Sequence, residues 1–243
     1  MTADTPPDVP DVPGDADLPP LALDIDGTLT TPEGAVDPRA LRVLPEWPAP
    51  VVLATGKAFP YPVALCHFAG IPERVVAENG GVVCVDETVR VEGEADRVAA
   101  AVEAVRERGG DLGWGAADTV NRWRETEVAA RLTADEALLR AVAAEFDLRF
   151  LDTGYAYHLT DPDVSKGRAL GEAAAVLDRD PEAFVAVGDS MNDASTFETV
   201  GESYAVANAD DAARAAADAV VDAGYMDGTL SVLADLVARA DGG

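Results

Sequence analysis

Three short apolar runs, each closed by a polar side chain of related kind, constrain this chain more than any other feature. Leu21-Ala22-Leu23 ends at Asp24, Val51-Val52-Leu53-Ala54 at Thr55, and Phe184-Val185-Ala186-Val187 at Gly188-Asp189. Runs this short, apolar at every position, read as strands buried on both faces, the pattern of a parallel sheet covered by helices. Helical segments separate them: Asp37 to Leu44, and Tyr61 to Phe68, which has a proline near its start and Gly70 past its end. A further strand, Val75-Val76-Ala77, runs into Glu78-Asn79-Gly80-Gly81. This alternation predicts parallel βα units. Ligands of such sheets bind beyond the carboxyl ends of the strands.

The middle of the chain changes character. Val82–Val85 and Val89–Val91 read as an antiparallel hairpin, followed by a helix over Ala95–Arg108, an extended stretch over Arg122–Leu132, a helix over Ala134–Phe146 and a strand over Leu148–Leu151. The parallel pattern returns from residue 155, with helices over Ser165–Asp178, Asp193–Val200, Ala212–Ala217 and Leu230–Ala240. The expected fold class is therefore α/β: a three-layer, Rossmann-like parallel-sheet core with an inserted small α+β cap. The expected core is residues 21–81 and 155–243, and the cap 82–154. Residues 1–20 hold six prolines, five aspartates and no basic residue, and are expected to be a disordered acidic tail.

Charge narrows the function. Asp and Glu number 45 against 18 Lys and Arg, a net charge of −27 over 243 residues. Such a surface repels nucleic acid and anionic lipid, so neither is an expected partner. No apolar run approaches the length of a membrane span, and the start carries no basic secretion signal. Two cysteines, Cys66 and Cys84, make no disulfide framework, which points to a reducing cytoplasm. Lysine is nearly absent: Lys57 and Lys166 stand against sixteen arginines. Dense carboxylates with depleted lysine resemble proteins from organisms that keep molar salt in the cytosol, so a halophilic source is expected. The two surviving lysines draw notice, because a compact ammonium does what a guanidinium fork does not.

Candidate chemistry gathers at the strand ends. Asp24-Ile25-Asp26-Gly27-Thr28-Leu29-Thr30 alternates two carboxylates, which repel unless a cation stands near. Thr55-Gly56-Lys57 follows the second strand, Ser165-Lys166-Gly167 opens a helix, and Gly188-Asp189-Ser190-Met191-Asn192-Asp193 follows the late strand. A lysine at a helix N-terminus opposes the macrodipole and needs a compensating anion.

These four runs, in this order, resemble the four motifs of the haloacid dehalogenase superfamily. The inserted cap and the Glu78-Asn79-Gly80-Gly81 run resemble its Cof-type branch. Across the whole chain, including Arg124-Glu125-Thr126-Glu127-Val128 and Gly224-Tyr225-Met226-Asp227-Gly228, the likeness is to archaeal phosphoglycolate phosphatases. The resemblance implies a Mg²⁺-dependent phosphatase acting on a small phosphomonoester, 2-phosphoglycolate first, through an aspartyl-phosphate. It implies Asp24 as nucleophile and Asp26 as proton donor and acceptor. Asp24, Asp26 through its backbone carbonyl, Asp189 and Asp193 would serve the metal. Thr55, Gly56, Lys166 and Asn192 would serve the phosphate. A substrate carboxylate would suit an arginine fork or an ammonium, which makes Arg124 and Lys57 candidates for specificity.

Other readings remain open at this point. A sugar-phosphate phosphatase (sucrose phosphate, for example) or a phosphomutase would keep the fold. A non-catalytic phosphorylatable receiver also uses an acidic cluster, a threonine and a lysine. His67 and His158 lack further zinc ligands at suitable spacing. There is no G-x-S-x-G elbow and no GxxxxGK[ST] loop. Oligomeric state stays open, a homodimer included.

Overall fold

The structure is a computed structural model and describes residues 9–14 and 16–242. The first part of the chain forms β1 (Leu21–Leu23), α1 (Ala40–Val43), β2 (Val51–Ala54), α2 (Pro60–Ala69), β3 (Arg74–Ala77) and the hairpin β4 (Val82–Val85) and β5 (Thr88–Val91). Then come α3 (Ala95–Glu107), β6 (Glu127–Ala130), α4 (Glu136–Glu145), β7 (Arg149–Asp152) and β8 (Tyr157–Thr160). The chain closes with α5 (Lys166–Val176), β9 (Val185–Gly188), α6 (Ala194–Phe197), β10 (Glu202–Ala205), α7 (Asp211–Ala216), β11 (Ala219–Val220) and α8 (Tyr225–Asp241).

An eight-stranded sheet runs in the order β11-β10-β9-β1-β2-β3-β4-β5. Its strands are parallel from β11 to β3; β4 pairs antiparallel with β3 and β5 antiparallel with β4, so β4 alone runs against the rest. Alternation along each strand splits the core into two layers. Leu21, Leu23, Val51, Leu53 and Val75 pack with Leu44, Cys66, Leu230 and Leu233 on one face. Ala22, Val52, Ala54 and Val76 pack with Leu170, Ala173, Phe197 and Ala213 on the other. That two-sided burial is why the strands are apolar at every position.

The order also places the site. Chain direction across the sheet reverses at β1, which pairs with β2 on one side and β9 on the other. Leu21 lies opposite both Val51 and Val185, and Leu23 opposite both Leu53 and Val187. The ends carrying Asp24, Thr55 and Asp189 therefore emerge side by side, at the crevice where open parallel sheets take ligands.

Two expected boundaries need correction. The hairpin Val82–Val91 belongs to the large sheet, because β4 pairs along its whole length with β3. Conversely, Tyr157–Thr160 lies between β6 and β7 in a separate three-stranded antiparallel sheet. Helices α3 and α4 cover that sheet, packing Ala101, Val105, Leu139 and Val142 with Leu159 of β8. The inserted unit thus begins after β5 and includes β8. Within it, the extended stretch expected over Arg122–Leu132 is a strand only at Glu127–Ala130. Asn121 holds the preceding residues in a turn, with its side chain bonded to Asp118 and to the backbone of Ala129.

The expected disordered tail is corrected in part as well. Leu18 is buried, Val9, Val12 and Ala16 pack against the core, and Trp47 Nε1 donates to the Pro19 carbonyl at 2.9 Å. Residues 1–8 and 15, on which the rest of that expectation falls, lie outside the described residues.

Candidate active site

Lys166 occupies the first turn of α5, where Ser165 caps the helix by accepting from Arg168 N. Its side chain is fully buried and bridges two strand-end motifs. Nζ donates to Asp24 Oδ1 at 2.6 Å and to Asp193 Oδ1 at 2.7 Å. Burial opposes the charge on Lys166, but Asp193 and Asp24 outweigh it, so its pKa is raised. The other oxygen of Asp193 accepts from the Asp189 and Ser190 amides at 3.0 and 3.1 Å, which tightens the loop after β9.

Asp24, Asp189 and Asp193 each bring a carboxylate oxygen within 4.8 Å of the others, and all three are buried. Burial pushes the pKa of Asp24 up; Lys166 pulls it down and Asp193 and Asp26 push it further up. Asp189 is raised by burial first and then by Asp24 and Asp193. Asp189 Oδ1 is buried without a hydrogen-bond partner among the described residues. One ammonium against three carboxylates leaves the cluster short of positive charge. An all-oxygen donor set with an orphaned carboxylate oxygen fits a hard divalent cation. Gly27 completes the cradle. Its φ is +81°, and a Cβ there would stand 2.0 Å from Asp189 Oδ2.

Asp26 lies outside this cluster. Its side chain is partly exposed and turns to Lys57, with Nζ 3.0 Å from Oδ2. Thr55 is buried, and its Oγ1 accepts from the Lys57 amide at 3.1 Å. Gly56 backs onto Asn79: a Cβ there would come within 3.0 Å of Asn79 Oδ1. Asn192 donates to that same Oδ1 at 2.8 Å and accepts from Ser190 Oγ at 2.7 Å.

A cavity of about 250 Å³ opens between the sheet ends and the inserted unit. Asp24, Asp26, Thr55, Gly56, Lys57 and Asn192 line its floor, and Arg124, Tyr155 and His158 line the cap side. Arg124, singled out in the sequence, therefore faces the cavity, and its guanidinium is paired with Glu127. Two other arginines of the inserted unit, Arg122 and Arg131, are exposed and lie over Trp123 and Trp114.

The sequence reading missed the polar joint behind that wall. Glu78 and Asn79 both take left-handed backbone, at φ 52° and 56°. The Glu78 carboxylate accepts from the amides of Glu125 and Thr126 and from Thr126 Oγ1. Asn79 Nδ2 donates to Glu127 Oε2 at 2.7 Å, and His158 Nδ1 meets Glu127 Oε1 at 3.0 Å. The signal available was indirect: Glu127 is a carboxylate at the start of an apolar strand.

The comparisons agree with this geometry. The family description of haloacid dehalogenase-like hydrolases matches residues 132–233. The chain is 64% identical over 215 residues to the phosphoglycolate phosphatase of Halorubrum lacusprofundi, covering 88% of this chain and 95% of that one. It is 53% identical over 236 residues to the phosphoglycolate phosphatase of Haloarcula marismortui, covering 96% and 98%. Among solved structures, Thermoplasma acidophilum 0175 superposes with a TM-score of 0.78 at 24% identity, covering 90% of this chain and 98% of that one. A haloacid dehalogenase-like hydrolase from Bacteroides thetaiotaomicron gives 0.73 at 18% identity, covering 92% and 99%. No helix among the described residues is long and apolar enough to cross a membrane. Motif order, sheet topology and close relatives converge, and the chain belongs to the haloacid dehalogenase-like hydrolases.

Proposed function

We propose that this chain is a Mg²⁺-dependent phosphatase that hydrolyses 2-phosphoglycolate to glycolate and phosphate. The observation that carries the reading is the bridge from Lys166 to Asp24 and Asp193, which draws the ends of β1 and β9 into one anion-handling centre. The name borne by relatives up to 64% identical supports the substrate. The small cavity suits a two-carbon ester better than a nucleotide. Two free, buried cysteines support a reducing cytoplasm.

Asp24, Asp189, Asp193 and the backbone carbonyl of Asp26 would hold Mg²⁺. Bound there, the ion supplies positive charge against the clustered carboxylates and the phosphoryl oxygens. Lys166 and the Thr55 hydroxyl hold the transferring oxygens. An Asp24 carboxylate oxygen attacks phosphorus as the ester P–O bond breaks, giving an aspartyl-phosphate. Asp26 gives its proton to the leaving glycolate oxygen, then takes one from the water that attacks phosphorus. The Asp24–phosphorus bond breaks and inorganic phosphate leaves. Lys57 keeps Asp26 turned toward the cavity throughout. Asn192 anchors the loop carrying Asp189 to Asn79.

The test is phosphate release from 2-phosphoglycolate with Mg²⁺ in molar KCl, beside a panel of sugar phosphates and an Asp24→Asn control. Preference for phosphoglycolate, lost in the control, is expected. Turnover of sugar phosphates alone would keep the mechanism and discard the substrate. No release from any ester would remove the reading altogether.

A further inference from the structure

The cap side of the cavity holds a charged cluster that phosphoryl transfer does not use. The chain carries far more acids than bases, yet Lys57, Arg124 and His158 all line this one small space. Lys57 is committed to Asp26. Arg124 and His158 share Glu127, whose side chain has no exposed surface.

Glu127 does not need Arg124 in order to be satisfied. Asn79 Nδ2 reaches one of its oxygens at 2.7 Å and His158 Nδ1 the other at 3.0 Å. Arg124 spends only its Nη1 on Glu127, and its Nε is buried with no partner among the described residues. Its side chain is only 6% exposed. Nε is closed off from the cavity, but Arg124 lines that cavity, and the Nη donors that Glu127 does not take are left for an incoming acceptor. The His158 ring is oriented in the same way, with Nδ1 donating to the acceptor-only carboxylate, which leaves Nε2 to donate to an anion when the ring carries its second proton.

The cluster is also rigid before any ligand arrives. The Arg124 amide donates to the Asn121 carbonyl at 3.0 Å, and Glu78 holds the amides of Glu125 and Thr126. Ligand binding would therefore cost little ordering.

We infer that Arg124 and His158 form an anion subsite facing the catalytic floor, which takes the carboxylate of a substrate whose phosphate sits over Asp24. Glu127 is the positioning residue of that subsite. It fixes the guanidinium and the imidazole while Asn79 holds it to the core. The subsite selects short phosphomonoesters bearing a second anion. This deepens the phosphoglycolate reading and rests on it.

The experiment compares 2-phosphoglycolate with ethyl phosphate, which has the same two carbons and no carboxylate. Steady-state constants are measured for wild type, Arg124→Gln, Arg124→Lys, His158→Asn and Glu127→Gln. In Arg124→Gln the ratio of kcat/KM for phosphoglycolate over ethyl phosphate should fall about 30-fold, as expected for losing a charge-assisted contact. Most of that fall should sit in KM. Arg124→Lys should recover part of it, because charge returns without the fork. His158→Asn should show a smaller fall. Glu127→Gln should raise KM for phosphoglycolate more than it lowers kcat. A ratio within threefold of wild type in both Arg124→Gln and His158→Asn overturns the subsite while leaving the phosphatase reading intact. Wild type that cleaves ethyl phosphate but not phosphoglycolate overturns the substrate reading and the subsite with it.

Discussion

Lys166 Nζ lies 2.6 Å from Asp24 Oδ1 at a point where the lysine side chain has no exposed surface. At the first turn of α5 the helix dipole disfavours that cation, so the carboxylates around it must hold it. Lys166→Ala removes the one ammonium that faces the cluster. Activity should fall at least about 100-fold, the cost of losing one preorganised donor to the transition state. Stability should drop by about 3 kcal/mol, because buried charge is left without its partner. Lys166→Arg should not restore activity, since a larger planar group replaces a buried point charge. Phosphate release and denaturant melts on the three proteins check both claims.

The same cluster predicts how stability depends on pH and on metal. Burial and neighbouring carboxylates raise Asp24 from the usual value of 3.8 to about 7, and Asp189 to about 9. A carboxyl whose folded pKa lies above its unfolded pKa binds more protons in the folded state. Its contribution is complete below the unfolded value and is lost as pH rises through the folded value. Protein stripped with chelator should therefore lose melting temperature from about pH 4 upward, most steeply up to about pH 7, where both carboxyls are protonated only in the folded state, and more gently from about 7 to about 9, where Asp189 alone is. Added Mg²⁺ should stabilise the protein more at pH 8 than at pH 5, since protons and metal compete for the same oxygens. A metal-induced shift equal at the two pH values would contradict the assignment.

Gly27 offers a sharper test of the cradle. Its φ is +81°, and a Cβ would stand 2.0 Å from Asp189 Oδ2. Gly27→Ala combines backbone strain of about 1 kcal/mol with displacement of a carboxylate from the cluster. Activity should be lost, and Mg²⁺ should no longer raise the melting temperature. Gly34 has a similar φ of +82° with open space around it. Gly34→Ala should show the strain alone and keep its response to metal.

The strand-end residues were legible because their geometry is local. Asp24, Thr55 and Asp189 each follow an apolar run, and strand pairing does the rest. Lys166 was legible for a different reason, its rarity in a chain rich in arginine. The edges of the inserted unit were not legible. Alternation in Val82–Val91 marks a hairpin but does not say which sheet it joins, and the register with β3 decides that. Tyr157–Thr160 fails in the opposite sense for the same reason. The joint of Asn79, Glu127 and His158 was hidden because its members are 48 and 79 residues apart along the chain. Only the fold brings them together.

That joint has its own prediction. Asn79 donates to Glu127 and accepts from Asn192, so it ties the cap wall to the loop carrying Asp189. Asn79→Ala leaves a buried carboxylate short of a donor, a loss of about 1–3 kcal/mol. It also puts alanine in left-handed backbone, at φ 56°. Asn79→Gly removes the same bonds without that strain and should be the more stable of the two, as thermal melts would show. Both should lower kcat/KM, because the wall and the floor of the cavity are no longer held together.

The net charge of −27 predicts a dependence on salt. Exposed carboxylates repel across a Debye length of about 30 Å at 0.01 M salt and only about 3 Å at 1 M. Exposed pairs such as Arg106–Glu103 and Arg108–Glu145 do little to offset this, since surface ion pairs are weak and screened as well. Dialysis from molar KCl to dilute buffer should therefore unfold the protein, as followed by far-ultraviolet circular dichroism. Choline chloride of equal ionic strength separates two causes. If it protects as well as KCl, the effect is screening of self-repulsion. If only KCl protects, the folded surface binds potassium, and the stabilisation follows mass action in that ion.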